Sequence, residues 1–392
     1  MADGYVTSGS YICFDTSGPY ETLGHAYAVL LSTYTSASPG GQRNICVFKG
    51  WYTDSGWTEM DTTNRPVPRE DQADVCWDGR YIYVAFHTAR DVYFSKFDTQ
   101  TDTWVIKDIW VAYVSSPAVW PTVRTAYEYW PQMTIDSNGK LYVIYPLYSS
   151  KGYHRVRWTY STDGGSTWTG DQTIPSTPGS KEAEVPFNIH ADGTNIYMWY
   201  NNNAAPATQC CVVYNGSGWS SIQSITSMSQ QFPASAPIKW SDSGTWYLTQ
   251  VFSDGIPAGS YYSLDTTTGS SPNWTNKLTV LTEGDFYGDF PDFKTATALY
   301  DGMPIAFYMR QPTPSSWLNR PRQVIRTSYS SWGTPSESDT IDLYPNYLGA
   351  RSVNENAYPI LLWGYGGDAS PVYIKCIDGI PPGIGGNYFF FY

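Results

Sequence analysis

The sequence predicts an all-β fold, a β-propeller of four-stranded antiparallel blades, with seven blades favoured and six as the alternative. Three observations predict it. Charged residues make up 15% of the 392 positions while aromatics reach 17%, a mixture that suits short pleated strands. No stretch longer than about fifteen residues keeps a helical period free of Gly, Pro and turn pairs. Three markers recur along the chain at a common period.

The first marker is a short turn followed by a Trp that opens a strand. It stands at Trp57, Trp104, Trp168, Trp219, Trp274 and Trp332, at spacings of 47, 64, 51, 55 and 58 residues. The second is a Gly turn, usually led by Asp, that feeds an apolar strand. Asp78-Gly79 precedes Tyr81–Val84 and Asp136 to Gly139 precedes Leu141–Ile144; Asp192-Gly193, Asp242 to Gly244 and Asp301-Gly302 continue the series. The third is a Pro entering the repeat at Pro131, Pro186, Pro237 and Pro291, spaced by 55, 51 and 54 residues. Each unit reads Pro, strand, Gly turn, strand, loop, strand, short turn, Trp strand. That is the content of a propeller blade. One such sheet cannot bury both its faces alone, whereas stacked sheets cover one another.

The blades are expected at about 8–62, 70–110, 128–176, 183–226, 233–282, 288–342 and 347–392, within a single domain spanning 1–392. The last is the weakest. Tyr358–Tyr365 and Val372–Ile377 read as strands, and either Tyr388–Tyr392 or the segment near Tyr5-Val6 supplies the missing one.

The formal net charge of −12 comes with no basic stripe, which argues against a nucleic-acid partner. No apolar run reaches the length of a membrane span. Met1-Ala2-Asp3-Gly4-Tyr5 lacks the basic and apolar regions of a secretory signal. The six cysteines form no CxxC pair and no zinc-ligand spacing with His. They read as small buried residues, with a disulfide between neighbouring strands as the alternative. No cofactor and no metal are expected.

Ser161-Thr162-Asp163-Gly164-Gly165-Ser166-Thr167-Trp168 matches the pattern Ser/Thr-x-Asp-x-Gly-x-Thr-Trp at Ser161, Asp163, Gly165, Thr167 and Trp168. Degenerate copies stand at Thr53 to Trp57, Asp98 to Trp104 and Asn215 to Trp219. Asp suits the capping of turn N–H groups, Gly the positive φ, and Trp the filling of the blade core. The chain thus resembles the Asp-box, or bacterial neuraminidase repeat, group of sialidase-like propellers. That resemblance implies a structural role for the Asp-box residues, away from the active site. It implies sialidases, other glycan hydrolases and lyases, and non-catalytic proteins as the functional range. The aromatic-Arg-Ile-Pro motif of sialidases has no counterpart, since the first forty residues contain no Arg and Arg65-Pro66 is the nearest echo.

Antiparallel pairing puts the Gly turns and Trp turns on one rim. The connections between blades, and those between second and third strands, fall on the other. That second rim carries the richer insertions. Residues 111–130 contain Trp120, Arg124, Tyr127, Glu128, Tyr129 and Trp130; residues 146–157 contain Tyr148, Tyr153, His154, Arg155 and Arg157. Asn201–Asn203, the 309–323 segment with Arg310, Trp317, Arg320 and Arg322, and the acidic Glu182, Glu184, Asp285, Asp289 and Asp292 add to it. Flat aromatics beside Arg, amide and carboxylate groups suit sugar rings. The expected ligand surface is Trp120, Arg124, Tyr127, Tyr129, Trp130, Tyr148 and Arg155.

Two functional readings follow. One is a non-enzymatic propeller on an extracellular or virion surface, of phage or virus type, that binds host-surface carbohydrate and other virion subunits. An outward-facing composition without an export signal favours it. The other is a secreted polysaccharide lyase or glycoside hydrolase. His154 or Tyr129 would then act as base, Arg124 or Arg155 would meet a substrate carboxylate, and Glu184 would be the acid/base. Arg124, His154 and Glu184 are its first catalytic candidates.

Overall fold

The computed structural model describes residues 4–5, 11–14, 25–32, 44–51, 58–66, 73–87, 91–113, 131–148, 154–170, 172–174, 186–202, 208–227, 237–253, 260–274, 276–282, 295–310, 320–338, 347–351, 360–364, 372–376 and 389–391. Among them there is no helix, and the strands pair into seven antiparallel sheets. The first sheet takes β1 (Gly4–Tyr5), β2 (Tyr11–Phe14), β3 (His25–Ser32), β4 (Ile45–Trp51) and β5 (Thr58–Met60). The second runs β6 (Ala73–Trp77), β7 (Tyr81–His87), β8 (Asp91–Asp98), β9 (Thr103–Tyr113); the third β10 (Gln132–Ile135), β11 (Leu141–Tyr148), β12 (His154–Ser161), β13 (Gln172–Thr173). The fourth runs β14 (Pro186–Asp192), β15 (Asn195–Asn202), β16 (Thr208–Tyr214), β17 (Gln223–Ser227); the fifth β18 (Ile238–Asp242), β19 (Thr245–Ser253), β20 (Ser260–Thr267), β21 (Asn276–Thr282). The sixth holds β22 (Thr295–Tyr300), β23 (Met303–Arg310), β24 (Arg320–Ser328), β25 (Ser331–Trp332) and β26 (Ser336–Glu337). The seventh holds β27 (Tyr347–Arg351), β28 (Ile360–Gly364), β29 (Val372–Cys376) and β30 (Phe389–Phe391).

Four antiparallel strands in sequence order are the arrangement of a propeller blade. The C-terminal aromatic run supplies the fourth strand of the last sheet, through Val372↔Phe391 and Tyr373↔Phe390. Gly4–Tyr5 pairs instead with β3 in the first sheet.

The chain divides into two compact units. One comprises Met1–Arg65, Phe232–Thr267 and Thr275–Tyr392, the other Pro66–Gln231 and Thr268–Trp274. In the second unit the strands bury both faces. Along β11, Leu141, Val143 and Tyr145 join a cluster with Phe94, Val92 and Ala85 of the preceding sheet. Tyr142 and Ile144, on the opposite face, join a cluster with Ile196, Met198 and Val212 of the following one. This explains why β11 reads as an unbroken apolar run: alternate residues serve two different cores. Each such side chain contributes about 1.5–3 kcal/mol when fully buried. In the other unit the cluster of Val251, Tyr261, Val280, Ala306, Tyr308 and Val324 joins the fifth and sixth sheets by the same logic.

Hydrogen bonds also cross between sheets in the second unit. The Met133 N–H of β10 donates to Asp74 Oδ2 of β6 at 2.7 Å. The Ser137 N–H donates to the Gly193 carbonyl at 3.0 Å, joining the Gly turns of the third and fourth sheets. Cys46, Cys76, Cys210 and Cys211 are buried, and burial pushes the Cys211 thiol up.

Candidate functional site

Register decides which loops share an end of a sheet. In the third sheet Ile135↔Leu141 and Leu141↔Ser161 lie at one end, and Tyr148↔His154 at the other. The first end carries the tight turns. In the Ser161–Trp168 hairpin the Asp163 carboxylate is the organiser. Its Oδ1 accepts the Thr167 N–H at 2.9 Å and the Ser161 hydroxyl at 2.8 Å. Its Oδ2 accepts the Thr167 hydroxyl at 2.6 Å. Ser161 Oγ in turn accepts the Gly165 N–H at 2.9 Å. These bonds, led by that from the Thr167 hydroxyl, hold the exposed Asp163 carboxyl down to about 2.

Gly164 and Gly165 stand at φ 70° and 95°. Gly165 also lies so close to the second sheet that an added Cβ would fall 2.0 Å from Phe94 Cε1. The Trp168 ring meets Phe94 edge-on at 5.2 Å, with its Nε1–H on the Gly165 carbonyl at 3.2 Å. Trp168 therefore packs between two sheets of its unit.

The Gly turns at this end follow one design. Asp78 Oδ1 accepts the N–H groups of Arg80 and Tyr81, while Oδ2 accepts the Tyr83 hydroxyl at 2.6 Å. Asp136 repeats this with the N–H groups of Asn138 and Lys140 and the Tyr142 hydroxyl at 3.2 Å. Burial first, and then the carboxylate, push both phenols up. The Lys140 ammonium sits 3.5 Å from the Tyr160 ring centroid, with Tyr142 at 5.0 Å and Tyr214 at 5.7 Å. The carboxylates of Asp78, Asp136 and Asp163 are committed to backbone N–H groups and to phenol or hydroxyl donors of their own turns. This end is a frame.

Three of the residues that sequence reasoning selects for ligand or catalysis lie at the opposite end. Tyr148 lies on β11, and His154 and Arg155 on β12. Tyr148↔His154 and Leu147↔Arg155 are register partners, so these three share one end of one sheet. Trp120, Arg124, Tyr127, Tyr129 and Trp130 lie outside the described residues, as do Glu128, Tyr153, Glu182, Glu184, Trp317, Asp285, Asp289 and Asp292. Arg157 points its guanidinium along the sheet, with Nη1 donating to Thr173 Oγ1 at 2.5 Å.

Sequence reasoning did not single out the polar residues buried at the starts of the first strands here. Asp74, Gln132 and Asn188 are each less than a tenth exposed, on β6, β10 and β14. By accepting the Met133 N–H, Asp74 fixes the point at which the 114–131 connection enters β10. A charged residue inside an otherwise apolar strand opening (Ala73-Asp74-Val75-Cys76) is the sequence signal that could have found it. Among the described residues no group of His, Cys, Asp and Glu is placed to hold a metal ion, and no helix is long and apolar enough to cross a membrane.

No protein-family model and no curated protein matches the sequence. Solved structures do match. One is an ulvan lyase of polysaccharide lyase family PL25, with TM-score 0.53 and 12% identity over 77% of this chain and 79% of that one. The same lyase bound to -[GlcA(1-4)Rha3S]- gives TM-score 0.52 and 13% identity over the same shares. AofleA from Arthrobotrys oligospora gives 0.51 and 11% over 87% of this chain and 89% of its own. At such identities the likeness is one of fold: the chain is similar to these proteins in the arrangement of its antiparallel sheets.

Proposed function

We propose that the chain is a seven-bladed propeller of the Asp-box group that works outside the cell on a polysaccharide, as a lyase. The observation that carries this reading is the likeness in fold to the ulvan lyase, which spans more than three quarters of both chains. It supports an enzyme better than a virion subunit. The chemistry of the insertions agrees with it. A lyase acting on a uronate needs a cation on the carboxylate, a base for the C5 proton and an acid for the leaving oxygen. Arg124 or Arg155 supplies the first, His154 or Tyr129 the second and Glu184 the third. The C5 proton passes to the base, the C4–O bond breaks, and the departing oxygen takes a proton, which leaves an unsaturated sugar end. Trp120, Tyr127, Trp130 and Tyr148 stack on neighbouring rings. With a net charge of −12, local Arg residues must draw an anionic chain that the molecule as a whole repels.

The test is an assay of uronate-containing polysaccharides that follows ultraviolet absorbance of unsaturated ends together with new reducing ends. Both signals should appear, and Arg124→Ala, His154→Ala and Glu184→Ala should remove them. Reducing ends without unsaturation would replace the lyase by a hydrolase. Glycan retention without either signal would leave a binding protein.

A further inference from the structure

The end strand of the second sheet contains an arrangement that the proposed catalytic rim does not use. We infer that Trp110, with Asp91 and Tyr93, forms a second carbohydrate site, one that stacks on a neutral pyranose ring. The inference rests on the carbohydrate-directed reading above. Trp110 is 56% exposed, although it belongs to a regular strand. Its indole N–H donates to Asp91 Oδ1 at 3.0 Å, which fixes the ring on its strand. Tyr93 is its register partner on β8 and packs against Phe86, with ring centroids 6.0 Å apart.

The backbone around Trp110 is shaped to present it. The β8–β9 register shifts on both sides of the Tyr93↔Trp110 pair, between Val92 and Tyr93 and between Phe94 and Lys96. Bulges of this kind re-aim a side chain and twist an edge. Asp108, inside the second bulge, holds φ 52°, a conformation that is unfavourable for a residue with a Cβ. The buried Ser95 hydroxyl accepts the Asp108 N–H at 3.1 Å and secures that shape. A strand that needed only to protect its edge would carry charge at Trp110, as it does at Lys107 and Asp108.

A fixed, open indole is a stacking surface for the C–H face of a sugar. The Asp91 carboxylate beside it accepts hydroxyls and repels uronate and sulfate groups. The ligand class is therefore an uncharged hexose or deoxyhexose unit of a polysaccharide, held apart from the reacting uronate.

Native gels cast with barley β-glucan, galactomannan or xyloglucan, and a control gel with polygalacturonate, test this. The wild-type chain should be retarded in at least one neutral gel. Trp110→Ala should weaken that retardation roughly tenfold in apparent Kd, and Trp110→Phe less. Melting temperature and migration in polygalacturonate should stay unchanged for both. Unretarded wild type in all three neutral gels would overturn the inference. So would full retardation of Trp110→Ala, or loss caused by Trp120→Ala instead. If no substrate yields product but Trp110→Ala still abolishes retardation, the lyase reading fails and this site stands.

Discussion

The Ser161–Trp168 hairpin of one unit and the Asp265–Arg326 pair of the other both secure a turn beside a Trp, by opposite means. Asp163 is exposed and bonds groups within four residues of itself. Asp265 and Arg326 are fully buried and belong to different sheets, with Nη1–Oδ1 2.6 Å and Nη2–Oδ2 2.8 Å apart. Arg326 also donates to the carbonyls of Ser328 and Tyr329 in the β24–β25 turn. Its guanidinium lies 4.7 Å from the Trp240 ring and 5.6 Å from that of Trp332. Thr249 and Asn276 complete the shell of Asp265 at 2.5 and 2.7 Å. Asp98 is an intermediate case: buried itself, it accepts the Gln100 N–H and pairs with the exposed Arg80 at 2.6 Å. A local cap stabilises one turn. A buried pair joins two sheets and tolerates no half-measures.

The largest effect separating the two should come from the buried pair. Asp265→Ala or Arg326→Ala should each lower stability by about 3–5 kcal/mol, since the surviving buried charge loses its counter-charge. The double change Asp265→Leu with Arg326→Met should cost less than either single one. Urea denaturation measures all three, and single-variant losses below about 1 kcal/mol would break the comparison.

Next comes Gly165→Ala. Its Cβ would meet the Phe94 ring at 2.0 Å from a backbone at φ 95°, so a loss of about 2–4 kcal/mol is expected. Adding Phe94→Leu should recover part of it; no recovery would place the cost in the turn alone.

The smallest effects belong to the caps. Asp163→Ala should cost about 1 kcal/mol, the low end for lost hydrogen bonds because solvent competes at this exposed site. The folded carboxyl sits at about 2, below the ordinary unfolded value of about 3.9. Its contribution is therefore complete at neutral pH and is lost as pH falls from about 4 through 2. Asn215, whose Oδ1 accepts the N–H groups of Ser217 and Gly218, caps its turn without a charge. Asn215→Ala should cost about 0.5–1 kcal/mol with no pH dependence. Melting curves of both variants from pH 2 to 7 distinguish the two caps.

The strands were legible because their causes are short-range. Alternation of Leu141, Tyr142, Val143 and Ile144 between two cores, and the turn residues Asp136 and Gly139, act over a few positions. The ion pair was not legible. Arg326 and Asp265 are separated by 61 residues, and nothing near either marks it as buried. The end proposed for ligand was legible only as composition. Trp120, Arg124 and Glu184 stand out because they interrupt the period, and an interrupted period says nothing about how side chains converge. Trp110 was passed over because it sits inside a strand, where an aromatic reads as core; its exposure follows from two bulges that no spacing rule announces.

The two ends of the second unit differ in how much chain they spend on their connections. Residues 78–80, 136–140 and 193–194 join first to second strands, whereas 114–131 and 174–185 join one sheet to the next. Closing a longer flexible loop is inexpensive, since each doubling of length adds only about 0.6 kcal/mol of entropy. Lengthening a Gly turn, by contrast, would displace Asp78 or Asp136 from the N–H groups it caps. Insertions and deletions can accumulate at one end almost without a stability penalty, and are filtered out at the other. Loop length at that end can therefore diverge among descendants of this chain while the buried sheets and their tight turns stay unaltered.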